Sequence, residues 1–271
     1  MASLTRAGHT VSTAATSGPQ TAGALARQSI ASGADLIVTC GGDGTINEVA
    51  EGMIGEKVPL AVLPGGTANV LANELGLGAT VERAAERLSE LQARRISAGR
   101  IRSGDAPERY FVMMAGVGLD AHLVYRVTAG LKDRWGKAAY WICGFGELVR
   151  DLEEFDVEID GRVRRASFAL VSKVKNYGGD LNIARSVSLV DDTFEVVLFE
   201  GVRSRRYLKY LAGVMTNQLR GMSGVTVLRT SRVRFSGSPG KRVYMQVDGE
   251  YAGHLPGEVE IVPDALTLLM E

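Results

Sequence analysis

The amino-acid sequence predicts an α/β domain built on a parallel sheet, followed by a mostly antiparallel β-sandwich domain. In the first third of the chain, short apolar runs alternate with helix-like segments, which is the pattern of parallel strands covered by helices. From about residue 96 onward, runs rich in Val, Ile, Phe and Tyr follow one another between Gly, Asp and Ser turns, as in antiparallel sandwiches and barrels. This change of pattern places the two domains at residues 1–95 and 96–271.

The first domain is predicted to contain helices and buried strands in alternation. Apolar residues recur at helical spacing in several segments, and Gly33 and Gly76 stand where two helices should end. The expected helices cover residues 21–33, 45–55, 67–78 and 80–95, and the expected strands cover residues 35–40 and 58–64.

The second domain is predicted to be a series of strands with two helical insertions. The strand-like runs are residues 94–103, 109–119, 155–173, 194–201, 225–237 and 242–253, and the helical insertions are residues 133–152 and 204–219. Many short strands in series favour a sandwich over a parallel sheet.

The composition argues against several classes of protein. Lys+Arg and Asp+Glu both number 31, so the net charge is zero and no basic field favours nucleic acid. No apolar run has the length of a membrane span, and the N-terminus lacks the apolar core of a secretory signal. Cys40 and Cys143 are too few for a disulfide framework or a zinc site. We therefore expect a cytoplasmic protein with reduced thiols.

Two glycine-rich loops each join a predicted strand to a predicted helix. Such loops let the backbone approach a ligand, and a helix N-terminus favours phosphate. In a parallel sheet both loops emerge at one edge, where a chain of phosphates can bind between them. Thr45 and Glu48 form a T-x-x-E capping box, and Thr67 is expected to cap the next helix. The candidate residues are Gly41, Gly42, Asp43, Gly44, Thr45 and Glu48 in the first loop, and Gly65, Gly66, Thr67 and Asn69 in the second.

Asp43 needs its own explanation, because phosphates repel a carboxylate. It fits the loop if it binds a divalent cation shared with the phosphates, or if it accepts hydrogen bonds from loop amides. The alternative is that Gly-Asp-Gly is only a turn, which two such loops in succession disfavour. The G-x-x-x-x-G-K-[ST] pattern and a G-x-G-x-x-G after the first strand are both absent from the sequence.

The two loops, read together, resemble the diacylglycerol kinase catalytic family, which includes bacterial lipid kinases and sphingosine kinases. "GGDGTINEV" and "PGGTANVLANELGL" carry the resemblance, which continues in order through residues 116–124, 176–199 and 246–253. "GGDGT" alone is less specific, because NAD kinases and phosphofructokinases have similar loops. The resemblance implies ATP, Mg²⁺ and transfer of the γ-phosphate to the hydroxyl of a lipid alcohol such as diacylglycerol. It also implies a nucleotide-binding α/β domain, with the lipid in a cleft beside the β-sandwich.

The resemblance also assigns roles to four acidic residues. Spacing alone makes Asp248-Gly249 a hairpin turn, whereas the family's proposed base is the Asp of this D-G-E segment. Glu250 would assist as its neighbour. Asp191 is the first candidate metal ligand and Asp192 the second; Ser188 stands where some relatives carry a further acid. Asp120 in "GVGLDAH" is expected to be structural.

Several alternatives stay open at this point. The basic stretch at residues 203–211, which Arg162 was expected to join in the fold, favours a peripheral membrane surface, or it is a solvated helix face. The family's usual first strand and its N-P-x-S-G-like loop are missing from the sequence, so the true start lies upstream or the nucleotide site lacks an edge. A catalytically weak nucleotide- or lipid-binding module and an NAD kinase are the other functions considered. A homodimer also stays open.

Overall fold

A computed structural model describes residues 2–6, 8–78, 80–118, 152–177, 181–202, 206–216 and 218–271. The chain forms two compact units, one of residues 1–98 with 263–271 and one of residues 99–262. Residues 263–271 therefore belong with the first unit, although they lie at the far end of the chain. Asp120, Cys143 and the predicted helix at 133–152, apart from Leu152, lie outside the described residues.

The first unit contains a parallel strand pair with helices before and after each strand. Its helices are α1 (Ala2–Arg6), α2 (Ala22–Ala31), α3 (Asp43–Gly52), α4 (Val70–Glu74) and α5 (Val81–Arg87), with a 3₁₀ turn at Leu88–Glu90; its strands are β1 (Ile37–Gly41) and β2 (Leu60–Pro64). The strands pair in parallel from Ile37 opposite Leu60 to Gly41 opposite Pro64. Leu268, near the C-terminus, pairs with Leu60 on the other side of β2, also in parallel. The predicted parallel sheet is confirmed.

Two predicted helices are shorter than expected. The helix predicted at 67–78 begins only at Val70, because Asn69 before it adopts a left-handed backbone with φ 48°. The helix predicted at 80–95 ends at Arg87, and strand β3 (Gln92–Ser103) begins soon afterwards. Charged residues are compatible with an exposed strand as well as with a helix face. The end of this segment is a strand because β3 pairs with the C-terminal strand.

The second unit is a sandwich of antiparallel strands, as predicted. One six-stranded sheet follows the order β12-β11-β8-β5-β14-β15, and a second sheet includes β13, β6, β7 and β4 with parts of β3 and β16. The strands are β4 (Arg109–Phe111), β5 (Met114–Gly118), β6 (Phe155–Ile159), β7 (Arg162–Ala166), β8 (Phe168–Ser172), β9 (Asn176–Tyr177), β10 (Leu181–Asn182), β11 (Phe194–Phe199), β12 (Val225–Thr230), β13 (Arg232–Gly237), β14 (Tyr244–Val247), β15 (Glu250–His254) and β16 (Gly257–Met270), and helix α6 spans Arg206–Met215.

Apolar side chains from the two sheets form one core inside the second unit. Phe111 stacks on Phe194 with ring centroids 5.8 Å apart, and Phe155 meets Phe235 edge-on at 6.1 Å. Alternation along β6 sends Phe155, Val157 and Ile159 into this core.

β16 is a strand that the sequence analysis did not anticipate. It is 14 residues long and contributes to both units. The alternation in "EVEIV" is a strand signal, but Pro263 and Asp264 interrupt it. Asp264 takes a left-handed backbone with φ 48° in the middle of the strand.

Candidate functional site

The two predicted glycine loops lie side by side in the first unit. They follow the carboxyl ends of β1 and β2, and the Gly65 amide donates to the Gly41 carbonyl at 3.0 Å. A Cβ added to Gly66 would stand 2.4 Å from the Cα of Gly42, which is closer than any real contact allows. The glycines are therefore required for one loop to pack on the other. The packing brings two loops and the N-terminus of α3 to one edge of the strand pair.

Asp43 links the first loop to the second. It is the first residue of α3, and its Oδ1 accepts a hydrogen bond from the Val70 amide at 2.7 Å. Burial raises the pKa of Asp43, and the backbone amides around it, Val70 foremost, oppose that rise. Of the two roles expected for this carboxylate, the geometry supports anchoring of loop amides.

Asn69 holds the second loop closed. Its Oδ1 accepts from the Gly66 amide at 2.7 Å, and its Nδ2 donates to the Gly66 carbonyl at 3.0 Å. Asn69 is the N-cap residue of α4, so the prediction that Thr67 caps this helix is wrong. Asn69 takes the left-handed backbone that Asn tolerates and makes no side-chain cap to α4, whose first amide, Val70, donates to Asp43 instead.

The predicted capping box in the first loop is also wrong. α3 begins at Asp43, two residues before Thr45, and no side chain caps it. Glu48 instead caps α2, because its carboxylate accepts from the amides of Gln20 at 2.8 Å and Ala22 at 3.0 Å. Thr45 packs on the first loop: a Cβ on Gly41 would lie 3.0 Å from the Thr45 Cβ.

Asn47 is a polar residue that the sequence analysis passed over. It is 1% exposed, and within the described part of the chain its side-chain amide has no hydrogen-bond partner. Buried amides are nearly always paired, so Asn47 is an exception within α3. Asn47 stands next to apolar residues in a predicted helix, so the sequence did not mark it as a candidate site residue.

Asp248 stands in a tight turn of the second unit. Asp248 and Gly249 join β14 to β15 with φ values of 46° and 84°, which is the hairpin turn expected of Asp-Gly. The Asp248 Oδ1 accepts from the Met114 amide at 2.7 Å, and the Asp248 amide donates to the Met114 carbonyl at 3.0 Å. β5 thus fixes the orientation of this carboxylate.

Glu250 follows this turn and is paired with a cation. The Arg109 Nη2 donates to its Oε2 at 3.1 Å. The buried Gln246 accepts from the Gly249 amide at 2.9 Å and braces the turn from the other side. Arg109 and Gln246 therefore support this turn; Gln246 opens the motif at residues 246–253, but the sequence assigned a role to neither residue.

The predicted metal ligands lie in the turn at residues 188–192. The Oδ2 of Asp191 accepts from the Ser188 amide at 3.2 Å and from Arg229 Nη2 at 2.6 Å, and Asp192 is exposed. The Nζ of Lys173 donates to the Asp191 carbonyl at 2.7 Å. Burial lowers the pKa of Lys173 to about 8, although the charges of Asp192 and Asp191 favour its ammonium form. The described residues contain no cluster of three His, Cys, Asp or Glu side chains suited to a metal.

Glu195 is a further charged residue, and only the structure shows its role. It is fully buried on β11 and accepts from the amides of Arg185 at 3.0 Å and Ser186 at 2.7 Å. The Arg220 Nη2 donates to the same carboxylate at 2.7 Å. Glu195 therefore fixes the chain just before the turn at 188–192.

His254 has a carboxylate partner. Its Nε2 lies 3.1 Å from Asp105 Oδ2, and its amide donates to Asp105 Oδ1 at 3.0 Å. The Tyr251 hydroxyl lies 3.3 Å from the same carboxylate. The group attaches the 103–106 loop to β15, with no nucleophile placed by these contacts.

Part of the basic stretch lies on α6. Arg206 and Lys209 are exposed, whereas Tyr210 and Val214 are buried. The Tyr210 hydroxyl donates to the Glu200 carbonyl at 2.9 Å and fixes the helix to its unit. Residues 203–205 lie outside the described residues. None of the helices in the described ranges has the length and apolarity of a membrane span.

Comparison with protein-family models supports the reading of both halves. Residues 1–101 match the model described as the diacylglycerol kinase catalytic domain. Residues 113–270 match the model described as the YegS C-terminal NAD kinase beta sandwich-like domain. The two matches occur in the order of the two predicted domains.

Similar proteins and structures point the same way. The chain is 31% identical to a diacylglycerol kinase of Bacillus subtilis (strain 168), over 93% of this chain and 83% of that protein. A diacylglycerol kinase of Mycobacterium tuberculosis (strain ATCC 25618 / H37Rv) is 28% identical over 90% of this chain and 80% of its own. A crystal structure of a diacylglycerol kinase from Bacillus anthracis str. Sterne has the same fold, with a TM-score of 0.73 at 21% identity over 94% and 84% of the two chains. This chain therefore belongs to the diacylglycerol kinase family of lipid kinases.

Proposed function

We propose that this protein transfers the γ-phosphoryl group of ATP to the hydroxyl of a lipid alcohol, with diacylglycerol as the first acceptor to test. The observation that carries the proposal is the contact between the two glycine loops beside the N-terminus of α3. Backbone loops at a helix N-terminus are suited to phosphate. The names of the relatives in the comparison supply the acceptor class.

In this proposal the first unit binds the phosphates of ATP through backbone amides. The amides of Gly65 and Gly66 already donate to groups within the loops. We therefore assign the phosphate contacts to Gly42, Gly44 and Thr45 around the N-terminus of α3, and to Thr67 in the second loop. Asp43 and Asn69 keep the loops in position. Mg²⁺ enters with ATP and neutralises the phosphate charge when bound.

Asp248 is assigned as the general base. The acceptor oxygen forms a bond to the γ-phosphorus, its proton passes to the Asp248 carboxylate, and the bond to the β,γ-bridging oxygen breaks so that ADP leaves with the electron pair. The assignment depends on the family resemblance of the D-G-E segment and on the fixed orientation of Asp248 against Met114. Glu250 orients Arg109 beside this turn.

The protein is also proposed to work at a membrane surface, because its acceptor is a lipid. Arg206 and Lys209 on the exposed face of α6 are suited to anionic headgroups. The acceptor lipid is left to experiment, since the family accepts glycerolipids, sphingoid bases and prenols.

A transfer assay with radiolabelled ATP and mixed micelles tests the proposal. Diacylglycerol, sphingosine and a prenol are offered separately, and Asp248→Asn is compared with Asp160→Asn. Asp160-Gly161 forms an exposed turn between β6 and β7 with the same left-handed backbone, so it is a matched control. We expect Asp248→Asn to reduce kcat by about 10²–10⁴-fold and Asp160→Asn to leave it unchanged.

Three results would change the assignment. Unchanged transfer by Asp248→Asn would remove this residue as the base. Nucleotide binding without transfer to any lipid alcohol would favour the weak binding module. Formation of NADP from NAD in a coupled assay, without lipid phosphorylation, would favour an NAD kinase.

A further inference from the structure

Oxygen atoms of the turn at residues 188–192 accept hydrogen bonds from positively charged side chains of the same chain. The Asp191 carbonyl accepts from the Lys173 ammonium at 2.7 Å, and the Asp191 carboxylate accepts from Arg229 at 2.6 Å. Arg229 also donates to the Thr193 hydroxyl at 2.8 Å. Two positive side chains thus hold one aspartate from two directions.

Lys173 is placed for this contact by the sandwich. It directly follows β8, its side chain is 0% exposed, and its amide donates to the Met113 carbonyl at 2.8 Å. A buried ammonium needs compensating oxygen atoms and negative charge. The Asp191 carbonyl supplies the oxygen, and Asp191 and Asp192 supply the charge.

A divalent cation at this turn would meet both positive charges at close range. It would need oxygen ligands, yet Lys173 and Arg229 already bind the carbonyl and carboxylate of Asp191. Ser188 has a hydroxyl and no carboxylate, and its backbone amide donates to the Asp191 Oδ2 at 3.2 Å.

We infer that Lys173 and Arg229 take the place of a structural divalent cation at this turn. The chain then needs no metal to hold residues 188–192. The inference is independent of the proposed phosphoryl transfer, because it concerns the stability of the turn in the absence of nucleotide.

Thermal unfolding of the full chain without nucleotide tests the inference directly. The chain is dialysed against EDTA and melted with no metal, with Mg²⁺ and with Ca²⁺. A saturating structural metal raises Tm by roughly 5 °C or more. We expect the three melting temperatures to agree within about 1 °C. A fall of several degrees in EDTA that Mg²⁺ or Ca²⁺ restores would overturn the inference.

Variants of Lys173 extend the test. Lys173→Met is expected to lower Tm, whereas Lys175→Met, at an exposed lysine two residues away, should not. The double variant Lys173→Gln with Ser188→Asp removes the ammonium and adds a carboxylate, so we expect Ca²⁺ or Mg²⁺ to raise its Tm. If neither metal raises the Tm of the double variant, that result would count against the inference that Lys173 takes the place of a divalent cation. If the Lys173 variants do not fold, Arg229→Gln at an exposed side chain replaces them, with a lower Tm expected and an unchanged Tm counting against the inference.

Discussion

The glycine loops of the first unit and the segment of residues 185–195 in the second unit are held by different interactions. The loops are held by backbone contact and by two neutral or half-buried side chains, Asn69 and Asp43. Residues 185–195 are held by charge, with Glu195 bound to Arg220 and Asp191 bound to Arg229. Loops that are held by backbone contacts keep amides available for a ligand. In a segment held by ion pairs, the polar atoms are already bonded to other groups of the protein. This difference supports our proposal that the ligand binds at the loops.

Glu195→Ala should have the largest effect, because it removes the buried carboxylate that holds residues 185–195 to β11. The amides of Arg185 and Ser186 and the Arg220 guanidinium would lose their common acceptor. We expect the free energy of unfolding to fall by about 3 kcal/mol, as for other broken buried pairs. Urea unfolding measures it.

Asp156→Ala is the control for this variant. Its pair with Arg165 is exposed on both sides, so the loss should be about 0–1 kcal/mol. Equal losses in the two variants would show that burial does not distinguish the charge-paired segment.

Gly66→Ala tests the loops in the same way. The new Cβ would stand 2.4 Å from the Cα of Gly42, a backbone atom that cannot rotate away as a side chain can. Overpacking of this kind costs about 1–3 kcal/mol, measured again by urea unfolding. Gly18→Ala, with no heavy atom within 4 Å of its Cβ, should stay within about 0.5 kcal/mol of wild type. A stable Gly66→Ala protein would mean that the loops separate freely.

The loops were predictable from sequence because their signals are local. Glycines after a buried strand predict a loop wherever the rest of the chain lies, and the Asp248-Gly249 hairpin was predicted for the same reason. The partners were not predictable. Asp43 and Val70 are separated by 27 residues, and Asp191 and Arg229 by 38, so only the fold brings each pair together. The capping box failed because Glu48 caps a neighbouring helix instead of its own.

Lowering the pH tests how much the charge-paired regions contribute to stability, because it protonates their carboxylates. The arginine–glutamate cluster on the second unit consists of Arg100, Arg102, Arg232 and Arg234 with Glu108, Glu258 and Glu260. The hydrogen bond from Arg232, with help from Arg100, lowers the pKa of Glu260 from 4.5 to about 2.

A carboxyl group with a lowered pKa stabilises the fold above its unfolded pKa, and that stability is lost as the pH falls toward the folded value. The urea midpoint of the wild type should therefore fall between pH 4.5 and about pH 2. Glu260→Gln should be less stable at pH 7 and should show a flatter pH profile in this window. A wild-type profile unchanged by the substitution would contradict the role given to Glu260.

Asp43→Asn should have the smallest effect on stability, and its sign is opposite. The pKa of Asp43 is raised by burial, so the wild type loses stability as the pH rises from 3.8 through the folded pKa. Asparagine keeps an acceptor for the Val70 amide without the charge. We expect a gain of less than about 1 kcal/mol at pH 7 that vanishes below pH 3.8. Asp35→Asn, at an exposed site, should change nothing, and a loss in Asp43→Asn would show that the charge itself holds the loops.

The most direct measurement is calorimetric titration of the folded chain with MgATP. We expect one nucleotide to bind per chain, with affinity at least about 10-fold weaker in Gly66→Ala and unchanged in Gly18→Ala. Folded wild-type protein that takes up no adenine nucleotide would contradict the assignment of the paired glycine loops as the phosphate site.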